Sequence, residues 1–271
     1  MDVPFADARL AARLESFAAA ENERFVQAAR RARPDGGADA RWIAGGCAAF
    51  VGPGAPVNQA SGLAMDGPVL PVHVDELESF FAAHGAPAYV NVCPLAHASL
   101  AAELSNRGYR VTAFENVLVR PLGAAFDDIA PDPAVDIRQV SDADALAWGR
   151  QVVLGFSTPG EPTIAEYDFA EVLARVDGLT RLLAFVDGEP AATAELVIHD
   201  GIGWLSADTT TPRFRGRGLQ TALQRRRLEL ALEAGCSLAV TESKPGSGSQ
   251  RNMERLGFRV AYTRVDLSRE L

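Results

Sequence analysis

The spacing of apolar residues changes several times along the chain, and each change predicts an element. From Phe5 to Arg31 the apolar positions, mostly alanine, recur every three or four residues, which predicts a helix that Pro34-Asp35-Gly36-Gly37 ends. RWIAGGCAAFVG (41–52) predicts a strand closed by Pro53-Gly54. In VDELESFFAAHG (74–85), Asp75 and Glu76 fall where the positive end of a helix dipole favours acids, and Gly85 falls where a helix stops. A short helix is expected there. A strand (88–93), a helix (95–108) and a long strand (109–120) follow.

PLGAAFDDIAPDPA (121–134) holds three prolines and three aspartates with no periodicity, the mark of a linker. The expected domains are therefore 1–122 and 135–271, joined by 123–134. The second opens on a strand, VDIRQV, and a helix over 141–156 with Ser141 as its N-cap. Residues 181–211 read as a meander of three strands, with Asp187-Gly188 and Asp200-Gly201 supplying the positive φ of tight hairpins. A helix ending at Gly235, the strand CSLAVTES, a helix near 249–257 and a strand over 258–267 complete the chain. The two parts end alike. Arg107-Gly108-Tyr109-Arg110-Val111 is matched by Leu256-Gly257-Phe258-Arg259-Val260, in each case a helix stopped by glycine and a strand opened by an aromatic residue. With the similar element order before it, this predicts a duplicated fold.

Composition then narrows the chemistry. A chain of 271 residues that is 48% hydrophobic can bury two cores of ordinary size. The formal net charge of -9 argues against general affinity for nucleic acid, which needs positive charge to displace counterions. It suits cationic or neutral small ligands. Cys47, Cys93 and Cys236 are odd in number and lack CxxC spacing, so they read as reduced core residues. His73, His84, His97 and His199 are scattered, and no metal site is expected. No segment approaches the roughly 18 to 20 apolar residues of a membrane span, so the expectation is a soluble cytoplasmic protein with no membrane partner, as a monomer or homodimer.

One stretch departs from the acidic background: TPRFRGRGLQTALQRRRLELALEAG (211–235). Arg215-Gly216-Arg217-Gly218 follows a strand and begins a helix, so free backbone N–H groups and the positive end of the helix dipole converge on one spot. That spot suits a pyrophosphate. Glycine lets the backbone approach the anion, and Thr221 can add a hydroxyl from the first turn. The spacing is neither GxGxxG nor a Walker loop, and no GxSxG elbow appears.

Residues 135–268 resemble the GNAT superfamily of acyl-CoA-dependent N-acetyltransferases. The family's acyl-CoA loop reads Q/R-x-x-G-x-G/A; Arg215-Gly216-Arg217-Gly218-Leu219-Gln220 matches it in the arginine and the central glycine, with Gln220 where Gly or Ala is usual. Ser249-x-Arg251-x-x-Glu254-Arg255-Leu256-Gly257-Phe258 resembles the family's second motif in its ribosomal-protein N-terminal acetyltransferase form. The N-terminal part has no such loop. The resemblance implies an α/β (α+β) fold of two GNAT-like domains, each a mixed, mostly antiparallel twisted sheet flanked by helices, the first degenerate and without an acyl-CoA loop. It also implies acetyl-CoA as co-substrate and no metal. Backbone N–H groups near Thr209 and Thr210 would hold the pantetheine and the acetyl oxygen.

The family's usual acid, a tyrosine four residues before the Gly-Phe pair, is replaced here by Met253. Ser249 occupies the position used in the serine-bearing subgroup; its alternative role is the N-cap of the last helix. For a base, strand alternation puts Trp204, Ser206 and Asp208 on one face and makes Asp208 the candidate, with Glu195 its competitor and Glu242 a third. An acceptor ammonium can also lose its proton to water. Arg225-Arg226-Arg227 reads as mostly the solvated side of the helix. The leading expectation is acetyl transfer to the primary amine of a small molecule by direct attack in a ternary complex. The alternatives are a noncatalytic acyl-CoA sensor and a protein or peptide N-terminal acetyltransferase.

Overall fold

The computed structural model describes residues 5–123, 135–156 and 160–271. The linker expected at 123–134 lies, apart from Gly123, outside the described residues. The chain forms two compact units, each of which has a mixed sheet with helices, the fold class expected from the sequence. Their boundaries differ from the expected ones. Phe5–Val117 and Val260–Leu271 form one unit, and Leu118–Arg259 falls in the other.

In the first unit, helix α1 (Ala8–Ala32) is capped by Asp7, whose carboxylate accepts from the Leu10 N–H at 2.8 Å. The single strand expected over 41–52 is instead a hairpin, β1 (Asp39–Ile43) and β2 (Gly46–Phe50), because Ala44 and Gly45 both take positive φ, +46° and +82°. β3 (Gln59–Ser61) and β4 (Ala88–Val92) continue the sheet. Helices α2 (Pro71–Ala83) and α3 (Ser99–Asn106) contribute Leu77, Phe80, Phe81, Leu100 and Leu104 to a core shared with Ala48, Phe50, Ala60 and Val90. The strand after α3 is β5 (Arg110–Pro121), and the last strand of the chain is β11 (Arg259–Arg269).

β11 pairs antiparallel with β4, from Val265↔Val92 to Arg269↔Ala88. A buried polar network ties it there. Glu15 on α1 is fully buried and accepts from the Tyr262 hydroxyl at 2.7 Å and from Arg264 Nε at 2.8 Å, while Asn91 Nδ2 donates to Asp266 at 2.8 Å. A buried carboxylate needs such donors, and the donors come from a strand at the far end of the sequence. This is why the C-terminal strand groups with the N-terminal unit.

The second unit has the strand order β10-β9-β8-β7-β6. Its strands are β6 (Asp136–Gln139), β7 (Leu179–Val186), β8 (Glu189–His199), β9 (Ile202–Thr210) and β10 (Leu238–Ser243). β6 to β9 are antiparallel and β10 runs parallel to β9. Asp187-Gly188 and Asp200-Gly201 take the positive φ that their hairpins require. Helix α6 (Leu219–Glu233) covers one face: Leu196 and Leu205 share a core with its Leu228 and Ala231, and a Cβ at Gly203 would sit 2.7 Å from the Ala231 side chain.

Helix α4 (Ala145–Phe156) covers the other face. Its Gly155 lies so close to β9 that a Cβ there would meet Thr209 Oγ1 at 2.2 Å. Ser141 precedes a short 3-10 turn (Asp142–Asp144) rather than capping α4, and its hydroxyl donates to Asp144 at 2.8 Å. Helix α5 (Ile164–Ala174) was not expected from the periodicity. Its start is a capping box in which Thr163 Oγ1 accepts from the Glu166 N–H and Glu166 Oε2 accepts from the Thr163 N–H. Helix α7 (Gly248–Arg255) leads through Gly257, at φ +83°, into β11.

Candidate functional site

The site begins with a defect in β9. Thr193 pairs with Thr209 and Glu195 with Ser206, so one extra residue of β9 is accommodated between these pairs, and Ala207 takes φ +52°. The bulge reverses the side-chain alternation beyond it. Ser206 keeps the α4 face, where its hydroxyl donates to Glu195 Oε1 at 2.5 Å. Asp208 turns to the α6 face and Thr209 back to the α4 face, where its hydroxyl lies 2.8 Å from that of Thr193. The expectation that Trp204, Ser206 and Asp208 share one face is thus overturned by the one-residue insertion.

On its other edge β9 pairs with β10 only from Ile202 to Leu205. Beyond that ladder, Asp208, Thr209 and Thr210 line a cavity of about 790 Å³. The chain then makes a 3-10 turn (Pro212–Phe214), and Arg215 Nε donates to Thr210 O at 3.2 Å. Gly216 and Gly218 follow at φ +78° and +76°, Gly218 as the N-cap of α6. A Cβ on either would find no atom within 4 Å, so the space they face is open. The first backbone bond of α6 runs from Ala222 N to Gly218 O, which leaves the preceding N–H groups without a helical acceptor. Residues 214–221 all line the cavity, and Gly155, Gln224, Gly248, Ser249, Asn252 and Arg255 complete it.

Gln220 turns toward β9: its Nε2 donates to Thr209 O at 2.5 Å and to Thr210 Oγ1 at 3.0 Å. Gln224, one turn on, is buried, and its Oε1 has no hydrogen-bond partner among the described residues. Ser249 is exposed and lines the cavity. It is not the cap of α7: Ser247 is, with its hydroxyl accepting from the Gln250 N–H at 3.1 Å. Met253 is fully buried in the core beside Leu256 and Phe258, out of the cavity lining.

The base candidates separate. Asp208 reaches the cavity, but its carboxylate is engaged by Arg227, Nη2 on Oδ1 and Nη1 on Oδ2 at 3.2 Å. Burial holds the Asp208 carboxyl above the usual aspartate range, and the Arg227 guanidinium offsets only part of that rise. Glu195 is buried away from the cavity lining, on the α4 side, and Glu242 is also outside the lining. Arg227 corrects the reading of the arginine triplet. It is 0% exposed, whereas Arg226 stays at the surface, paired with Glu229 at 3.0 Å.

Gly155, Gln224, Asn252 and Arg255 were missed in the sequence. Gln224 follows Gln220 by one turn, and Asn252 follows Ser249 at i+3, so helical spacing was the available signal. Among the described residues no group of three His, Cys, Asp or Glu could hold a metal ion, and no helix is long and apolar enough to cross a membrane.

Residues 148–258 match the acetyltransferase (GNAT) family. The solved structures agree at the level of fold. A GCN5-related N-acetyltransferase from Kribbella flavida superposes with a TM-score of 0.62 at 20% identity, covering 89% of this chain and 95% of its own. A tandem GNAT protein from the clavulanic acid biosynthesis pathway has a TM-score of 0.58 at 17% identity, covering 83% of this chain and 78% of its own. A GCN5-related N-acetyltransferase from Sphaerobacter thermophilus gives 0.52 at 21% identity, over 68% of this chain and 60% of its own. No curated protein matches. The fold over most of the chain is shared with GNAT acetyltransferases, a tandem one among them, and acyl transfer is the chemistry of the family that residues 148–258 match.

Proposed function

We propose that the protein transfers an acetyl group from acetyl-CoA to the primary amine of a small molecule, by direct attack in a ternary complex. The observation that carries this reading is the continuous cavity from the Arg215–Thr221 loop to Asp208–Thr210 and Ser249. The lining fits the co-substrate. Gly216 and Gly218 leave room where a phosphate would approach the amides of α6, and the partnerless Oε1 of Gln224 can accept from an amide N–H.

Acetyl-CoA supplies an activated acyl carbon and a thiolate leaving group. The chain's part is to hold the pyrophosphate at residues 215–221 and the pantetheine along Thr209 and Thr210, and to give the departing sulfur a proton. The exposed Ser249 hydroxyl in the cavity lining is the group for that last task. From the neutral amine, nitrogen–carbon bond formation and carbon–sulfur cleavage release one proton from nitrogen and place one on the thiolate, with the Ser249 hydroxyl regaining from the nitrogen side the proton it gives; from the ammonium the whole reaction releases one proton to water. With Asp208 paired to Arg227, and Glu195 and Glu242 outside the cavity lining, water takes the ammonium proton before attack. The net charge of -9 favours a cationic acceptor.

Thiol release with a panel of amines tests the reading, with peptide N-termini as one arm. Millimolar acetyl-CoA should raise the melting temperature, because a ligand far above its Kd stabilises by roughly 2 to 4 kcal/mol. No shift would remove the co-substrate assignment. The replacement of the family's tyrosine by a core methionine favours the acyl-CoA sensor as second reading. Binding without turnover on any amine or peptide would establish it.

A further inference from the structure

We propose that Arg227 and Asp208 are a positioning pair: the buried guanidinium of α6 clasps the bulge of β9 and fixes the backbone of residues 208–210 along the cavity. The inference rests on the reading of that cavity as the acyl-CoA site.

The donors of Arg227 are spread around the bulge. Nη1 donates to Glu195 O at 3.0 Å and to Ser206 O at 3.1 Å, the carbonyls of the last strand pair before the register shifts. The same nitrogen and Nη2 engage both oxygens of Asp208 beyond the shift, and Nε reaches Leu223 O at 3.4 Å on its own helix. A bulge takes peptide groups out of the ladder, and carbonyls buried there need donors from elsewhere. On the opposite face Thr193 Oγ1 donates to Ala207 O at 2.9 Å. Ala207, a non-glycine residue at φ +52°, is thus held from both sides, as strained backbone must be if it is to persist.

Gln220 lies two helical turns before Arg227, on the same face of α6. Its bonds to Thr209 O and Thr210 Oγ1 hold the segment on the far side of Asp208. One helix therefore grips β9 at Ser206 and Asp208 through Arg227 and at Thr209 and Thr210 through Gln220. The same α6 carries the anion-binding loop at its N-terminus, so loop and strand are set by one rigid body.

This arrangement assigns Asp208 a role other than proton acceptor. Protonating it would leave a guanidinium that is 0% exposed without its counter-charge. A buried ion pair is also weak as a source of stability, since apolar residues of similar size can replace one without loss. Backbone placement is different: a displacement of about 1 Å at reacting groups can cost a factor of about 100 in rate.

The test uses the full chain with Asp208→Asn, Arg227→Lys and Arg227→Met. The first readout needs no ligand. Amide hydrogen exchange at 208–210 should accelerate at least about tenfold in Arg227→Met and Asp208→Asn, with the β7–β8 ladder unchanged and Arg227→Lys between these and the native protein. Unchanged exchange at 208–210 overturns the proposal, whatever the activity. The second readout is kinetic. Asp208→Asn should lower kcat by about 10- to 100-fold and keep the apparent pKa of the kcat/KM profile of the native enzyme. Loss of the acidic limb of that profile in Asp208→Asn would make Asp208 the base and overturn the pair. If Arg227→Met does not fold, Asp208→Asn alone decides both readouts. Failure of the native protein to bind acetyl-CoA removes the functional reading, while the exchange result still decides whether the pair holds the bulge.

Discussion

Gly155→Ala tests the packing that shapes the site. Gly155 lies in the last turn of α4, where this substitution stabilises by at most the helix-interior value of about 1 kcal/mol. Here the new Cβ would lie 2.2 Å from Thr209 Oγ1, 2.3 Å from Thr209 Cβ and 3.1 Å from Thr209 Cγ2. Reaching an ordinary contact distance of about 3.4 Å requires a shift of roughly 1 Å between α4 and β9. Rotating Thr209 does not relieve the clash, because its Cβ is among the atoms struck and its hydroxyl is bonded to Thr193 at 2.8 Å. Overpacking of this kind costs about 1 to 3 kcal/mol. The net loss after the gain in propensity is up to about 2 kcal/mol, or a fall in Tm of up to about 8 °C. Because Thr209 lines the cavity, acetyl-CoA affinity should fall as well, by several-fold in a calorimetric titration. Gly149→Ala is the control: its Cβ would meet Ala170 O at 2.5 Å, away from the cavity lining, so Tm should fall while affinity stays. Native Tm and native affinity in Gly155→Ala would refute the close approach of α4 to β9.

Further outcomes follow from other parts of the molecule. Gly218→Asp should leave the fold nearly intact, since no atom lies within 4 Å of its Cβ and aspartate tolerates positive φ, yet abolish the acetyl-CoA thermal shift. Ser249→Ala should lower kcat about tenfold with Tm unchanged, whereas Ser247→Ala should cost about 1 kcal/mol of stability through the lost cap. Glu15→Ala leaves Arg264 buried without its carboxylate and should cost about 3 to 5 kcal/mol in urea unfolding. Burial pushes the Cys47 and Cys93 thiols up to about 12, so the folded chain keeps their protons after the unfolded chain has lost them. Stability should therefore fall as pH rises from about 9 towards 12, by up to about 1.4 kcal/mol per pH unit per thiol, and a thiol reagent at pH 8 should label neither until the chain unfolds.

Local signals in the sequence were sufficient for much of the fold. The Asp-Gly turns at 187 and 200 set the β7–β9 meander, and helix stops at Gly108, Gly235 and Gly257 all appear at positive φ. The conformation of the Arg215–Gly218 loop was legible because glycine spacing reports positive φ directly, and Gly216 and Gly218 both take it ahead of α6. α5 was missed although Thr163 and Glu166 spelled its capping box, and the Ala44-Gly45 turn was read through as strand because the residues around it are all apolar or small.

What the sequence by itself determined is therefore local: elements, turns and the glycine-bearing loop that opens α6, each fixed by residues a few positions apart. The tertiary structure decided the rest. Alternation assigns Asp208 to one face until a single inserted residue at Ala207 moves it to the other, and that insertion exists only relative to β8. Arg227 looks like its solvated neighbour Arg226 until carbonyls 21 and 32 residues away supply its acceptors. The place of β11 depends likewise on Glu15, 247 residues before Tyr262. Spacing along a chain carries short-range backbone geometry, but the partners of a buried charge are set by contacts between distant segments, which one sequence does not contain.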